Sequence, residues 1–164
     1  MLDAVNLRHA DASDYPQVIS QVNQWWSGRK MADMLPKLFF VHFRQTSFVA
    51  ENGNILIGFL VGFISQTFPQ EAYIHFAGIH PEHRKKGVGK TLYGRFFQTV
   101  KKFGCKRVCC VTSPVNQGSI NFHLKLGFSV EPSGKRYKKI FIIKDYDGKG
   151  EDRVLFSKPL VTAE

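Results

Sequence analysis

Glycines and basic residues crowd into the segment from His80 to Lys90, between a predicted strand and a predicted helix. Gly87 and Gly89 allow the backbone to turn tightly and to approach a ligand closely. The helix that follows presents unpaired backbone amides and the positive end of its dipole. Basic side chains add positive charge at Arg84, Lys85, Lys86 and Lys90. This combination predicts an anion site suited to a pyrophosphate group.

Two well-known phosphate-binding loops do not fit this segment. A Walker loop ends in Gly-Lys-Ser/Thr, as Gly89-Lys90-Thr91 does, but its first glycine would have to stand where Arg84 is. A dinucleotide-binding fingerprint needs a third glycine where Leu92 stands, and an early β-α-β unit that the chain lacks. The pattern that remains is Arg-x-x-Gly-x-Gly, from Arg84 to Gly89.

The elements that must position this loop follow from hydrophobic periodicity. The periodicity predicts one α/β domain over residues 1–164, with a mixed sheet and helices on its faces. Asn52-Gly53 between two apolar runs predicts a hairpin, and Gly104 predicts the end of the helix that begins at the loop. The predicted strands cover about residues 5–9, 47–51, 55–65, 72–79, 107–112, 137–144 and 153–157, and the predicted helices cover about residues 15–26, 32–43, 88–103 and 116–126.

A second motif lies in the last predicted helix. Asn116, Ser119, Phe122 and His123 precede Gly127-Phe128 in the spacing Asn-x-x-Ser-x-x-Phe-His-x-x-x-Gly-Phe. With the loop before it, the chain resembles the GNAT superfamily of N-acetyltransferases. The signatures of that superfamily are Arg/Gln-x-x-Gly-x-Gly/Ala after the fourth strand and Asn-x-x-Ala/Ser-x-x-Phe/Leu-Tyr-x-x-x-Gly-Phe after the fifth. The resemblance implies a GNAT-like acyl-CoA N-acyltransferase fold, a central mixed sheet flanked by helices.

The resemblance also implies acetyl-CoA as the cosubstrate and an amine as the acceptor. In the family, the loop amides bind the pyrophosphate, and an edge of the fourth strand binds the pantetheine arm as an added strand does. Carried over by position, the coenzyme-binding residues are Ala77, Gly78, Ile79, Arg84, Lys85, Lys86, Gly87, Val88, Gly89, Lys90, Asn116, Ser119 and Phe122.

Two histidines stand where the family carries catalytic groups. His123 occupies the place of the family's tyrosine, and imidazole can donate a proton to the departing thiolate; a coenzyme-contacting or core role is the alternative. The family's glutamate base is absent, and His75 stands near its position on the fourth strand, which makes His75 the candidate base. The alternatives to a base at His75 are Glu71, Thr112, bulk water, or a structural histidine on the sheet face. By resemblance, the backbone amide near Ile79 stabilises the tetrahedral oxyanion.

The segment Ser27–Met31 joins the first two predicted helices and follows Trp25 and Trp26. In the family that the chain resembles, this region often shapes the acceptor pocket, whereas a tryptophan pair is more often part of the core. If this segment faces the acceptor, Arg29 and Lys30 favour an acceptor that carries a carboxylate or a phosphate.

Composition limits the class of protein and its compartment. The 164 residues are 43% hydrophobic and 22% charged, which is typical of a globular domain. Lys and Arg number 23 against 13 acidic residues, so the formal charge of +10 predicts an anionic partner. The three cysteines are crowded at Cys105, Cys109 and Cys110, which indicates reduced thiols. No signal-peptide pattern precedes the first strand, so we expect a cytoplasmic protein with no membrane partner.

Other signals carry less weight. His75, His80 and His83 are joined by no thiolate or second cluster, so no metal site is expected. The basic run from Lys135 to Lys139 is typical of a solvated strand edge, and nucleic acid is not expected as a partner.

The sequence therefore predicts an acetyl-CoA-dependent N-acetyltransferase. The acceptor is a primary amine of a small molecule or a protein, and it attacks directly in a ternary complex. The alternative is a non-catalytic module that binds acyl-CoA or nucleic acid, because the family's glutamate and tyrosine are absent. Members of the family often dimerise, so a homodimer is left open.

Overall fold

Strands and helices alternate along the chain in the computed structural model, which describes residues 4–161. The strands are β1 (Val5–His9), β2 (Phe48–Asn52), β3 (Ile55–Ile64), β4 (Glu71–Ile79), β5 (Arg107–Thr112), β6 (Ser129–Val130), β7 (Lys135–Tyr137), β8 (Ile140–Ile142) and β9 (Val154–Pro159). The helices are α1 (Tyr15–Trp25), α2 (Leu38–Val41), α3 (Val88–Lys102) and α4 (Gln117–Lys125).

Seven of the strands form one mixed sheet in the order β1-β2-β3-β4-β5-β9-β6. Its neighbouring strands are antiparallel except β4 and β5, which are parallel. The predicted Asn52-Gly53 turn connects β2 to β3, with Asn52 paired to Ile55. β7 and β8 form a separate two-stranded hairpin. The mixed sheet with flanking helices confirms the fold class predicted from the sequence.

Helices cover both faces of the sheet and bury two hydrophobic cores. On one face, α3 and α4 pack against the strands through Leu92, Phe96 and Ile120. On the other face, α1 and α2 pack through a second cluster that includes Trp25 and Phe40. Burying one such large side chain contributes about 2–3 kcal/mol. The central strands are therefore fixed from both sides, including the strand that precedes the glycine loop.

Two sequence predictions are wrong in this part of the chain. The helix predicted over residues 32–43 is only the short α2 with single 3-10 turns on either side. Pro36 explains the break, because the residue before a proline avoids helical backbone angles, and Leu35 has φ −119° and ψ 75°. The single strand predicted over residues 137–144 is instead the last residue of β7, a two-residue turn and the strand β8. The short strand β6 was not predicted.

The longest helix of the described residues is α3, with 15 residues and one buried face. Within residues 4–161, no helix is long and apolar enough to cross a membrane.

Candidate functional site

β4 and β5 separate along their length and leave a cleft in the middle of the sheet. They pair only from Glu71–Arg107 to Tyr73–Cys109. Beyond Tyr73, β4 stays paired with β3 on one side, and its other edge has no strand partner. This free edge includes the predicted pantetheine-binding residues Ala77, Gly78 and Ile79. An extended ligand can add to such an edge through backbone hydrogen bonds.

The glycine loop lies directly after the free end of β4 and leads into α3. Lys85 and Gly87 have φ of +59° and +84°, backbone angles that turn the chain sharply before Val88. The first backbone hydrogen bond of α3 runs from the Thr91 amide to the Gly87 carbonyl at 3.0 Å. Among the described residues, the amides of residues 85–90 donate to no protein acceptor. The loop therefore presents a row of free N–H groups at the positive end of a helix, as anion binding requires.

Positive side chains surround these free amides. Lys85, Lys86 and Lys90 are exposed, and in the part of the chain that the structure describes none of them forms an ion pair. The first turn of α3 contains no acidic residue. The local charge therefore favours a diphosphate.

Gly89 brings α3 and α4 together beside the loop. A Cβ atom at Gly89 would lie 3.2 Å from Cζ of Phe122 and 3.8 Å from Cγ1 of Ile79. The Phe122 ring also packs edge-on against Tyr93, with 5.1 Å between ring centroids. Phe122, Gly89 and the end of β4 therefore form one wall next to the free amides. These are three of the residues that the sequence predicted to contact the coenzyme.

Arg84 connects the loop to two other elements. Its Nε donates to the Ile79 carbonyl at 3.1 Å, and its Nη2 donates to the Trp25 carbonyl. The guanidinium also lies 5.7 Å from the centroid of the Trp26 ring. Two of its three nitrogen atoms thus hold the ends of β4 and α1, and the contact of this exposed side chain with the phosphates stays a prediction.

Asn116 caps the helix that carries the second motif. Its Oδ1 accepts a hydrogen bond from the Ser119 amide at 3.1 Å. This satisfies one of the amides at the start of α4. The Asn116 side-chain NH₂ group remains able to donate to a ligand. The predicted pantetheine contact is thus compatible with the capping role.

His123 is buried beneath the cleft and holds its neighbours through both ring nitrogens. Nδ1 lies 2.7 Å from the Ser119 carbonyl oxygen, which can only accept, so Nδ1 carries the hydrogen. Nε2 then accepts from the Tyr93 hydroxyl at 3.1 Å. The ring stacks on Phe156 with 5.0 Å between centroids. Burial lowers the pKa of His123 from its ordinary value, so the neutral form is favoured.

Acidification should destabilise the protein through this buried ring. As the pH falls below 6.5, the ordinary pKa, the unfolded chain takes up a proton that the folded His123 resists. One such group lowers the free energy of unfolding by at most about 1.4 kcal/mol per pH unit, until the pH reaches the lower pKa of the folded state. Urea unfolding at about pH 7.5, 6.5 and 5.5 should show a steeper loss for the wild type than for His123→Phe. Identical pH dependence in the two proteins would contradict a buried neutral imidazole.

His75 lies on the opposite face of β4 from His123. The register between β3 and β4 shifts there, since Val61 pairs with Phe76 and Gly62 pairs with Ile74, so His75 is the extra residue of a β-bulge. Its Nε2 lies 2.7 Å from the Met34 carbonyl oxygen and must carry the hydrogen. The ring stacks on Phe39 with 4.8 Å between centroids. With the hydrogen at Nε2, Nδ1 of the half-buried ring is the atom that can accept a proton, as a general base requires.

Trp26 and Tyr73 lie on this face of the sheet, beside the second hydrophobic cluster. A Cβ atom at Gly78 would lie 2.6 Å from Cη2 of Trp26, so the indole rests directly on β4. Burial and the nearby Tyr146 and Asp147 raise the pKa of Tyr73. Tyr73 was not singled out from the sequence, although the alternation of residues along β4 could have assigned it to this face.

Within residues 4–161, no three His, Cys, Asp or Glu side chains come together as a metal site. The three cysteines are free. Burial raises the pKa of the Cys109 thiol to about 12, which disfavours a reactive thiolate.

Comparison with known proteins places this geometry in a family. Residues 7–128 match the sequence model of the Acetyltransferase (GNAT) family. N-acetyltransferase 8F1 of Rattus norvegicus is 25% identical over 68% of this chain and 50% of its own length. The chain thus spans only half of that relative. An N-alpha-acetyltransferase of Sulfurisphaera tokodaii is 23% identical over 94% of this chain and 92% of its own length.

The fold is also similar to that of a solved acetyltransferase. The structure from Salmonella typhimurium with its cofactor acetyl-CoA has a TM-score of 0.70 and 20% identity, covering 98% of this chain and 96% of that chain. At this identity the match concerns the fold.

Proposed function

Because the chain belongs to the Acetyltransferase (GNAT) family, whose members use acetyl-CoA, we propose that it transfers the acetyl group of acetyl-CoA to a primary amine. The observation that carries this proposal is the row of free amides at residues 85–90, next to the unpaired edge of β4. The acceptor is an amine of a small molecule or a protein. The free cysteines suit a reducing compartment, and we place the protein in the cytoplasm on that ground.

The diphosphate of the coenzyme is proposed to bind the amides of residues 85–90. Lys85, Lys86 and Lys90 balance its charge. From there the pantetheine arm follows the edge of β4 along Ala77, Gly78 and Ile79, with Phe122 and Ser119 on the α4 side. The loop and the strand edge are joined without a break, so one ligand can occupy both.

The reaction follows as direct attack in the ternary complex. The amine nitrogen bonds to the thioester carbonyl carbon, and the carbonyl electrons move to oxygen, where a backbone amide near Ile79 stabilises the charge. His75 accepts the amine proton at Nδ1, the atom that its hydrogen bond to Met34 leaves unprotonated. The intermediate then breaks the C–S bond and releases the amide and the coenzyme A thiolate. Holding both substrates in register supplies a large share of the acceleration.

His123 enters the proposal as the proton donor to the thiolate, under a condition set by its hydrogen bonds. Nδ1 donates to the Ser119 carbonyl, and Nε2 of the neutral ring carries no hydrogen. His123 therefore gives a proton to the thiolate only from Nε2, and only after that atom has taken up a proton from water in place of its hydrogen bond from Tyr93. His123→Phe should then lower turnover more than acetyl-CoA affinity. Unchanged turnover would remove His123 from catalysis and leave it a core residue.

A panel of primary amines tests the proposed activity. Release of free thiol from acetyl-CoA should depend on both the amine and the protein, and acetyl-CoA should raise the melting temperature when no amine is present. Thiol release with no amine dependence would contradict the proposal. A thermal shift with acetyl-CoA but no turnover on any amine would favour the non-catalytic alternative, and a larger shift with an oligonucleotide would favour a nucleic-acid-binding module.

A further inference from the structure

The β7–β8 hairpin carries an unbalanced positive charge. Residues 132–144 include no acidic residue and five cations, namely Lys135, Arg136, Lys138, Lys139 and Lys144. We call residues 135–144 the cationic hairpin. All five side chains are exposed. In the described part of the chain none of them forms an ion pair, since the arginines that do are Arg8, Arg44, Arg107 and Arg153. Their charge is therefore available to a partner.

The cationic hairpin is anchored rather than loosely attached. Ile142 is buried in the core under α3 and α4, and Ile140 packs against the same core. The Ser133 hydroxyl donates to the Ile142 carbonyl at 2.6 Å and fixes the base of the hairpin. Two of the cations rest on aromatic rings: Arg136 lies 4.5 Å from the centroid of Phe141, and Lys138 lies 5.5 Å from that of Tyr137. A rigid base and supported cations reduce the ordering cost of binding a partner.

The tip of the hairpin holds lysines where other residues would be more stable. Lys138 and Lys139 have φ of +44° and +71°, in the left-handed region. Two-residue hairpin turns of this kind favour Asn-Gly, which adopts these angles with less strain. In the β2–β3 hairpin, where Asn52 pairs with Ile55, the turn residue with positive φ is a glycine, Gly53 at +59°. The strained lysines at the tip therefore place charge at the most accessible point of the hairpin at a cost in backbone energy.

The cationic hairpin leaves the sheet at the end where β4 and β5 have separated. Val154 pairs with Thr112 at the end of β5, and the next bridge outward is Arg153–Ile143, at the root of the hairpin. The hairpin thus stands beside the open end of the cleft, on the side of the sheet that α3 and α4 cover.

The acidic residues next to the hairpin do not cancel its charge. Arg153 pairs with Asp147 at 2.6 Å and with Glu151 at 3.0 Å. The Asp145 carboxylate accepts from the Gly150 amide, and the Asp152 carboxylate accepts from the Asp145 amide. Each acidic group is engaged within its own loop.

We propose that the cationic hairpin binds an acidic segment of a polypeptide acceptor and so directs such acceptors to the cleft. The inference rests on the proposed acetyltransferase function. It names the substrate class as peptides or proteins that carry carboxylates near the reacting amine. Carboxylates pair with exposed arginine and lysine side chains through charge-assisted hydrogen bonds.

The dimensions of the hairpin favour a peptide over a nucleic acid. Each strand has three residues, which corresponds to a length of about 10 Å. An extended peptide of about three residues spans that distance. A nucleic-acid duplex carries about one charge per 1.7 Å of its axis and extends well beyond the three-residue strands of the hairpin.

The test uses fluorescence anisotropy to measure the binding of a fluorescein-labelled hexaglutamate peptide to the full chain. The hairpin variant replaces Lys135, Arg136, Lys138 and Lys139 with glutamine. The control variant replaces one arginine and three lysines that are also exposed and unpaired, Arg95, Lys102, Lys106 and Lys125. Both variants lose the same formal charge. The control positions lie away from the cleft: two are on α3, one is next to the end of β5 that pairs with β4, and one is the last residue of α4.

The hairpin variant should bind hexaglutamate about tenfold more weakly than the wild type, and the control variant less than about threefold more weakly. Equal weakening in both variants would show attraction by net charge alone and would overturn the proposal. Absence of wild-type binding, or complete displacement of the peptide by an equimolar hexathymidylate, would also overturn it. The thermal shift with acetyl-CoA is measured on the same proteins. A wild type that binds the peptide but not acetyl-CoA would defeat the proposed function and leave the hairpin site standing.

Discussion

Replacing Gly87 with glutamate is expected to lower the affinity for acetyl-CoA by about 100-fold or more. Gly87 has φ +84°, where a residue with a side chain is strained by about 1–2 kcal/mol. Nothing lies within 4 Å of a Cβ atom built there, so the new side chain meets open space at the loop rather than the core. A carboxylate about 5 Å from one phosphate charge is repelled by about 3 kcal/mol at an effective dielectric constant of about 20. Isothermal titration calorimetry with acetyl-CoA measures the loss.

Two further variants isolate the cause of that loss. Gly104→Glu places the same side chain at the other end of α3, at a glycine with φ +86° and an equally open Cβ position. It should leave acetyl-CoA affinity within about threefold of the wild type, since it lies away from the loop. Gly87→Ala introduces the strain without the charge and should fall between the two. A folded Gly87→Glu protein with the affinity of Gly104→Glu would contradict the phosphate site.

Replacing His75 with phenylalanine is expected to lower kcat by about 100-fold or more, the usual contribution of a general base. Phenylalanine keeps the flat ring that stacks on Phe39 and removes both ring nitrogens. The affinity for acetyl-CoA should stay within about threefold, because His75 lies on the face of β4 away from Phe122 and α4. Steady-state kinetics with the best amine of the panel separates the two quantities. His42→Phe, at an exposed histidine after α2, is the matched control and should retain full turnover.

The pH dependence distinguishes a base from a structural residue. A base is needed only while the acceptor amine is protonated, so the deficit of His75→Phe should shrink as the pH approaches the pKa of the amine, about 10.4 for a lysine side chain. A deficit that is constant across the pH range would indicate a structural effect of the substitution. Full turnover at neutral pH would remove His75 from the proposed mechanism and return the proton to bulk water.

Local signals in the sequence were sufficient for the elements whose ends are set by nearby residues. Asn52-Gly53 fixes the turn between β2 and β3, and Gly104, with φ +86°, follows the end of α3. The loop amides could likewise be predicted, because a strand, two glycines and a helix follow each other directly. Pro36 also indicated a break in the helix, but the apolar residues around it favoured the prediction of one continuous helix.

Features that depend on partners far along the chain could not be predicted. The separation of β4 from β5 after Tyr73 and the bulge at His75 arise from pairing between distant strands. For the same reason, the sequence could not show that Arg84, predicted as a phosphate ligand, also donates to the Trp25 carbonyl across the fold. The motif placed His123 correctly on α4. Only the three-dimensional structure shows that the hydroxyl of Tyr93, which is buried on α3, donates to its Nε2.

The most direct test of the phosphate site is the backbone amide spectrum of the ¹⁵N-labelled protein during titration with acetyl-CoA. The resonances of residues 85–90 should shift together with saturation, because their N–H groups exchange water for phosphate oxygens, while that of Gly104 at the other end of α3 should remain unchanged. Saturable shifts that leave the resonances of residues 85–90 in place would show that the coenzyme binds elsewhere and would rule out the proposed phosphate site.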